Sequence, residues 1–297
     1  MNKKAGFWKA FENKKDGAIR SYDLNSPMVK ALVILIMIIC LMFVVISVFP
    51  ILWVFLASFK DIKEFTRNVT IIPDTFDLSR IKTTWQSLHF QKYYLNSLIS
   101  VTGSVVCAVF FNGLLAYGFG VLRPKGYKIA YGLVMWSLLI PSTTCIVAVF
   151  RNINLIGLNR SFIPLWLAFG ANAFYVVLFK EFFEGIPKDL FEAAQLDGAG
   201  PFKIFTSIVL PLSKPIMVVV AIFALTAAWS DFLLPYLVLS GSGKETVMVK
   251  LFAFKDTPTD AVSVLRATLF AIVPPTVLFA IFQRQITDGA AAGAVKG

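Results

Sequence analysis

A polar interruption in an otherwise apolar chain decides the fold, and over residues 186–215 it reads IPKDLFEAAQLDGAGPFKIFTSIVLPLSKP. Pro187 suits the first turn of a helix, and Asp189 places a negative charge where the helix dipole favours one. Gly198 then predicts the end of that helix, because glycine readily takes the positive φ found at helix C-termini. A second helix is predicted to start at Pro201. The stretch therefore predicts a helix, a tight turn and a helix.

The faces of these two helices carry further information. In the first, Leu190, Ala193 and Ala194 are predicted to form one small apolar face. In the second, Phe202 and Phe205 are predicted to point toward the apolar stretch that follows. Two adjacent alanines permit close approach by another surface, so we expect the first helix to be a docking element.

Composition places the chain among membrane proteins. Hydrophobic residues make up 57% of the sequence and the mean hydropathy is +0.74, whereas soluble domains are about half apolar. A helix needs roughly 20 residues to cross the hydrocarbon core of a bilayer. On this basis we predict an all-α, polytopic membrane protein with six transmembrane helices. These spans are residues 31–59, 93–122, 129–150, 161–179, 215–239 and 267–283. The prolines expected to bend or interrupt them are Pro50, Pro141, Pro235, Pro274 and Pro275.

The distribution of basic residues suggests an orientation. With the N-terminus inside the cell, 16 of the 28 lysines and arginines lie in inside segments and 12 in outside segments, in the direction of the positive-inside rule. We predict that both termini are cytosolic. The predicted organisation is a cytosolic segment (1–27), a membrane domain (28–285) and a cytosolic tail (286–297), with a short helix in an external loop (60–92).

The spacing within residues 186–211 is specific. It comprises Glu192, Ala193, Ala194, Gly198, Ile208, Leu210 and Pro211. This resembles the E-A-A, G, I-x-L-P signature of permease subunits of binding-protein-dependent ABC importers. The surrounding DGA (197–199), LPLSKP (210–215) and terminal GAVKG (293–297) are similar to the carbohydrate class of maltose-type and sugar-phosphate-type permeases. The resemblance implies the type I ABC importer permease fold and a place in the bacterial cell membrane.

The resemblance also implies a role for residues 186–211, which we name the coupling segment. In such importers this short helix lies in a groove of a separate ATPase subunit, whose closure exchanges inward for outward access. The ATPase-coupling residues so implied are Glu192, Ala193, Ala194, Leu196, Asp197, Gly198 and Ala199. The implied partners are two ATPase subunits that hold ATP and Mg²⁺, a second homologous permease, and an external solute-binding protein that delivers a sugar or oligosaccharide.

The sequence argues against an enzyme. His89 is the only histidine, which disfavours a histidine-based triad or a multi-histidine metal site. The Gly-Ser-Gly-Lys run at 241–244 fails as a phosphate-binding loop, because Val238 and Glu245 occupy positions that require glycine and Ser or Thr. We predict no catalytic residue, metal or cofactor in this chain, and ATP hydrolysis on a partner. The net charge of +11 is scattered over loops, which favours membrane lipid headgroups over nucleic acid as a partner.

Four residues are predicted to line the translocation pathway: Asn172, Tyr175, Trp229 and Asp231. Sugar sites combine aromatic faces with amides and acids. Asp231 is the one acid in a hydrophobic stretch, and a charge in hydrocarbon costs a few kcal/mol, so it either lines the pathway or reaches solvent at the interface. Core or lipid-belt packing is the alternative for the aromatic residues, and bonding across helices for Asn112 and Asn172.

A different class of transporter is the alternative function. A secondary carrier or channel for a small polar solute would use ion gradients, and it would place charged residues in several spans or show inverted repeats. Among the predicted spans only Asp231 fits that pattern.

Overall fold

The protein is predominantly helical in the residues that its computed structural model describes, which are 27–67, 70–254 and 259–294. Nearly all of the predicted cytosolic segment 1–27 and the last three residues lie outside these ranges. The helices are α1 (Pro27–Ala57), α2 (Ile62–Arg67), α3 (Leu78–Ser87), α4 (Phe90–Tyr117), α5 (Tyr127–Ser137), α6 (Ile146–Leu155), α7 (Ile163–Gly170), α8 (Ala173–Glu184), α9 (Lys188–Leu196), α10 (Pro201–Leu212), α11 (Lys214–Ser230), α12 (Leu233–Leu239), α13 (Val247–Ala253) and α14 (Ala261–Ala294).

Several helices could cross a membrane. Three are long and apolar enough on their own: α1, α4 with its extension (Phe90–Leu122), and the Ala261–Gln283 part of α14. Two bent pairs could each supply one more span, α7 with α8 at 43° and α10 with α11 at 81°. Length and composition therefore allow up to five spans in the described part of the chain, and these correspond to five of the six predicted stretches.

The remaining predicted span, 129–150, is divided. α5 ends at Ser137, a 3₁₀ turn follows at Ser142–Cys145, and α6 begins at Ile146. Pro141 lies in the gap with φ −59° and ψ 128°. Because proline has no N–H and its ring clashes with the preceding turn, helical hydrogen bonding stops there. Pro141 thus interrupts its helix, as expected.

The predicted span 215–239 ends earlier than expected. α11 stops at Ser230, Asp231 is extended with φ −66° and ψ 131°, and α12 begins at Leu233. Pro235 lies in the first turn of α12, where the absence of an N–H costs little. The break therefore precedes the proline. Pro50, Pro274 and Pro275 likewise lie inside α1 and α14 without interrupting either helix.

The predicted external loop and the predicted C-terminal tail are more helical than expected. The loop 60–92 contains α2 and α3, which confirms a short helix there, and exposed His89 precedes α4. The predicted tail is helical as far as Ala294, because α14 runs on through an alanine-rich stretch and alanine is the best helix former.

α4 lies at the centre of the bundle and packs against α7, α8 and α11. Every fourth residue along one of its faces is buried and either small or an amide: Ser100, Ser104, Ala108, Asn112 and Ala116. Small side chains let neighbouring helices approach closely in membrane proteins. The 28 residues of α4 are about 42 Å long at 1.5 Å per residue, so its two ends lie on opposite sides of the bundle.

Asn112 connects α4 to the break between α7 and α8. Its side-chain amide is fully buried and donates to the carbonyl oxygen of Phe169 at 2.8 Å, while its Oδ1 accepts from the backbone N–H of Asn172 at 2.9 Å. Asn172 in turn caps α8, because its Oδ1 accepts from the N–H groups of Phe174 and Tyr175. Asn112 therefore bonds across helices, and it supplies partners to backbone groups that a broken helix exposes.

A close contact joins α4 to α7. The indole of Trp166 lies against Gly103, and a Cβ at position 103 would be 2.2 Å from Nε1 of that indole. The indole N–H also donates to the carbonyl oxygen of Ile99 at 3.3 Å. Only glycine fits between these helices at this point.

Arg266 of α14 holds the end of α1. Its side chain is buried and donates to the carbonyl oxygens of Ser58 and Lys60, each at 2.8 Å, and to Oγ1 of Thr84 in α3 at 3.1 Å. Carbonyl groups at a helix C-terminus lack partners within the helix and favour a cation. We call these bonds of Arg266 the latch. Along α1 itself, Ala57 is the only buried residue, and Arg80 also holds the end of this helix by donating to the carbonyl oxygen of Phe59 at 2.8 Å.

Candidate functional site: the coupling segment

The first helix of the coupling segment, α9, forms as its sequence predicts. Pro187 occupies the N-cap and Asp189 lies in the first turn. At the C-terminus, Gly198 has a φ of +77°, its N–H donates to Gln195 at 3.0 Å, and the N–H of Ala199 donates to Ala194 at 2.9 Å. These two bonds form a Schellman motif, which favours glycine at its left-handed position.

The structure divides the predicted apolar face of α9 between a buried and an exposed side. Phe191 and Ala194 are buried against the bundle, whereas Leu190 is 43% exposed and Ala193 is also exposed. The large ring of Phe191 buries more apolar surface than the small face could, so it determines the rotation of the helix. Leu196, at the end of α9, is 90% exposed. An apolar stripe of Leu190, Ala193 and Leu196 thus points away from the bundle.

The other predicted coupling residues surround this stripe. Glu192, Asp197 and Gly198 are exposed, and Ala199 is partly buried. A Cβ at position 198 would meet no atom within 4 Å. The polar and apolar groups of the turn are therefore accessible from outside the chain.

The second helix, α10, begins at Pro201 as predicted. Phe205 is completely buried, in agreement with the prediction, but Phe202 is 64% exposed. A π-helical turn, Phe205–Val209, widens α10 in its middle. The chain then bends by 81° around Ser213 into α11.

A polar cavity of about 380 Å³ lies between α9 and the end of α4. Its charged lining residues are Arg123, Glu184, Lys188 and Glu192, and Gln195 adds an amide. Arg123 and Glu184 form an ion pair at 2.7 Å. Glu192 therefore faces both this cavity and the outside of the chain.

The four predicted pathway residues lie at two breaks in helices. Asn172 and Tyr175 stand where α7 meets α8, and Trp229 and Asp231 stand where α11 meets α12. Tyr175 and Trp229 are buried in two different hydrophobic clusters. The structure thus brings these residues together as two pairs.

Each pair has a clear local role. Tyr175 is 4% exposed among core side chains. Trp229 donates its indole N–H to the carbonyl oxygen of Ala271 at 3.1 Å and packs on Tyr94 with ring centroids 5.6 Å apart. The carboxylate of Asp231 accepts from backbone N–H groups of the residues that start α12. Packing accounts for the two aromatic residues, while Asn172 and Asp231 remain partly exposed.

Sequence reasoning missed an aromatic group beside Asp231. The rings of Phe232 and Phe252 lie 4.4 Å apart, and Tyr236 contacts both. Phe232 and Phe252 line a largely apolar cavity of about 490 Å³ together with Thr268. Phe232 directly follows Asp231 in the sequence, but no local pattern links it to Phe252, which is 20 positions away.

Comparison with known proteins identifies the family. Residues 112–289, more than half of the chain, match the family described as binding-protein-dependent transport system inner membrane component. The chain belongs to this family. The matched region contains the whole coupling segment, so the resemblance seen in residues 186–211 is confirmed, and the chain is a transport permease component of a membrane.

Curated relatives share most of their length with this family member. It is 33% identical to the galactooligosaccharides transport system permease protein of Bacillus subtilis, over 85% of this chain and 92% of the relative. It is 28% identical to the diacetylchitobiose uptake system permease protein of Streptomyces coelicolor, over 85% of each chain. A crystal structure of a bacterial ABC transporter involved in the import of the polysaccharide alginate matches with a TM-score of 0.77 at 20% identity, covering 87% of this chain and 98% of that one. The fold is therefore that of an ABC importer permease.

Proposed function

We propose that this chain is the permease subunit of an ATP-driven importer and forms half of the translocation pathway for a sugar or oligosaccharide. The family supports the transport role, and the names of the relatives support the class of cargo. The observation that carries the proposal is the outward stripe of Leu190, Ala193 and Leu196 on a helix whose opposite face is packed into the bundle. An exposed apolar face on a fixed element is suited to docking.

The docking partner in this proposal is an ATPase subunit. The stripe enters its groove, Glu192 offers a carboxylate for a basic side chain, and the turn at Gly198 lets the surface of the partner approach the backbone. Leu196, Asp197 and Ala199 complete the contact. ATP and Mg²⁺ are bound by the partner, and this chain supplies no cofactor site of its own.

The complete importer in this proposal contains two ATPase subunits, a second homologous permease and an external solute-binding protein. The coupling segment faces the cytosol, which gives a multi-pass protein of the bacterial cell membrane with both termini cytosolic. Asn172 and Asp231 are the favoured pathway residues, because each stands at a break in a helix and keeps part of its polar surface exposed. Breaks in helices are tolerated at membrane depth where they line a cavity.

Purification of the tagged chain from its native membrane tests this assembly. We expect mass spectrometry to identify an ATPase with a phosphate-binding loop and a second permease. A chain that is recovered alone and still transports members of a panel of radiolabelled oligosaccharides into liposomes would instead be a secondary carrier.

Two substitutions test the docking surface itself. Gly198→Asp forces a side chain into a left-handed conformation at a cost of about 1–2 kcal/mol and adds a charge to the surface, while Glu192→Lys reverses one. Both are expected to release the ATPase or abolish uptake while membrane insertion stays normal. Gly157→Asp is the matched control, because Gly157 also has a positive φ, of 70°, and open space around it. Normal uptake by both coupling-segment variants would contradict the proposal.

A further inference from the structure

The residues just before and just after α9 are both attached to one short stretch of the chain. This stretch, residues 117–123, is the last residue of α4 together with the π-helical turn Gly118–Leu122 and Arg123. α8 contacts it just before α9 begins, and α10 contacts it just after α9 ends. We call residues 117–123 the anchor.

The first attachment is ionic. Arg123 of the anchor donates to Oε1 of Glu184, the last residue of α8, at 2.7 Å. The other oxygen of the same carboxylate accepts from Nζ of Lys180 at 2.9 Å, and Lys180 lies over the ring of Tyr131 at 4.8 Å. Glu184 is only four residues before α9. One oxygen of Glu184 thus ties the chain just before α9 to the anchor, while the other is held by Lys180 within α8.

The conformation of Arg123 makes this attachment specific. Its φ of +46° is unusual for a residue with a side chain. The guanidinium also donates through Nε to the carbonyl oxygen of Gly120 at 3.0 Å. A Cβ at position 120 would lie 3.4 Å from the backbone oxygen of Lys180, at van der Waals distance, so α8 packs directly against the anchor.

The second attachment joins the anchor to α10. The hydroxyl of Tyr117 donates to the carbonyl oxygen of Pro201 at 3.0 Å, and its ring packs on that of Phe205 with centroids 5.2 Å apart. Tyr117 is 2% exposed and Phe205 is fully buried. Pro201 begins the helix that follows the turn at Gly198. The chain that follows the C-terminal end of α9 is therefore also fixed to the anchor.

We infer that Tyr117, Arg123 and Glu184 are positioning residues, which make α9 and the end of α4 move as one body when the ATPase displaces the coupling segment. The inference rests on the proposed function, since it needs an ATPase docked on α9. If α9 were held at only one end, it could tilt relative to α4. Contacts at both ends of α9 oppose that tilt, so a displacement of α9 also displaces α4, the central helix of the bundle.

A distance measurement in the assembled importer tests the inference. The native cysteines Cys40, Cys107 and Cys145 are replaced by serine. Spin labels are attached at Gln195→Cys, an exposed position of α9 outside the docking stripe, and at Lys125→Cys beside the anchor. Pulsed electron paramagnetic resonance then gives the distance between the labels, without nucleotide and after trapping with ATP and vanadate. We expect the two distances to agree within about 2 Å, the usual size of helix shifts.

Loosening the anchor should make that distance depend on nucleotide. In the double variant Tyr117→Phe and Arg123→Gln, both polar attachments are lost and the label distance is expected to change by more than about 2 Å on trapping. Glu184→Gln should act in the same direction. Lys128→Gln is the matched control, because it removes one exposed positive charge near the anchor. A merely structural role would lower the yield of complex without making the distance depend on nucleotide.

Each result has a defined meaning. A nucleotide-dependent distance in the importer with an intact anchor, or an unchanged distance in the loosened variant, would overturn the inference and leave the proposed function intact. Failure of any ATPase to join the complex would overturn both. If the double variant does not assemble, Tyr117→Phe alone removes one hydrogen bond and keeps the ring, and it must then show the dependence.

Discussion

Replacement of Asn112 by leucine should destabilise the protein more than any surface change of the same kind. Leucine has the same number of side-chain heavy atoms as asparagine but cannot form the bonds to the carbonyl group of Phe169 and the N–H of Asn172, at 2.8 and 2.9 Å. Asn112 is fully buried, so water cannot replace the lost partners.

The expected size follows from these two bonds. Side-chain hydrogen bonds between membrane helices contribute about 0.6 kcal/mol on average and up to about 1.7, while an unsatisfied buried polar group costs about 1–3 kcal/mol. For two bonds we expect the free energy of unfolding to fall by roughly 1–3 kcal/mol.

Unfolding in mixtures of dodecyl maltoside and sodium dodecyl sulfate, followed by tryptophan fluorescence, measures this change. Asn152→Leu is the control, because it makes the same substitution at an exposed position of α6. If the two variants were equally stable, Asn112 would not be satisfying the break between α7 and α8, and the argument from unpaired backbone groups would fail.

Two further predictions concern the packing at Gly103 and the ionisation of Asp260. Gly103→Ala should lower the unfolding free energy by about 1–3 kcal/mol through overpacking against Trp166. Gly132→Ala is the control, because its Cβ meets no atom within 4 Å, and it should be neutral or stabilising by up to about 1 kcal/mol. The same detergent titration compares the two variants, and equal effects would refute the close contact between Gly103 and Trp166. Desolvation raises the pKa of the Asp260 carboxyl, but hydrogen bonds from Ser263 outweigh it and leave that pKa below its usual value. Asp260 therefore stabilises the folded state above the unfolded pKa of about 3.9, and this contribution is lost as pH falls through the lower folded pKa. Melting curves between pH 2 and 6 should show a loss of stability below about pH 4 that is smaller in Asp260→Asn, and an unaltered pH dependence in that variant would contradict this contribution of Asp260.

The coupling segment could be predicted from the sequence because its determinants are local. Pro187 and Gly198 act on the backbone within one turn of themselves, and the structure has the helix boundaries within one residue of the expected ones. The rotation of α9 could not be predicted in the same way. It depends on where Phe191 finds a buried site, and that site is formed by residues from α4 and α10.

Of the breaks in the helices, one was predictable from the sequence and two were not. Pro141 interrupts its helix through its own missing N–H, so the sequence was sufficient. The break before Asn172 is stabilised by Asn112, which lies 60 positions earlier in the chain. The break at Asp231 depends on an acid that accepts from the start of the next helix. Neither break was located from hydropathy, because one or two polar residues do not end an otherwise apolar stretch.

The latch at Arg266 has a consequence for the order in which the chain is assembled. The guanidinium lies 208 residues after the carbonyl group of Ser58 that it binds. At a synthesis rate of about 5–20 residues per second, roughly 10–40 s separate the appearance of the two partners. Throughout that time the first apolar helix is in the bilayer without this latch. A chain truncated before Arg266 lacks the latch altogether, so the last helix is needed to complete the attachment of the first.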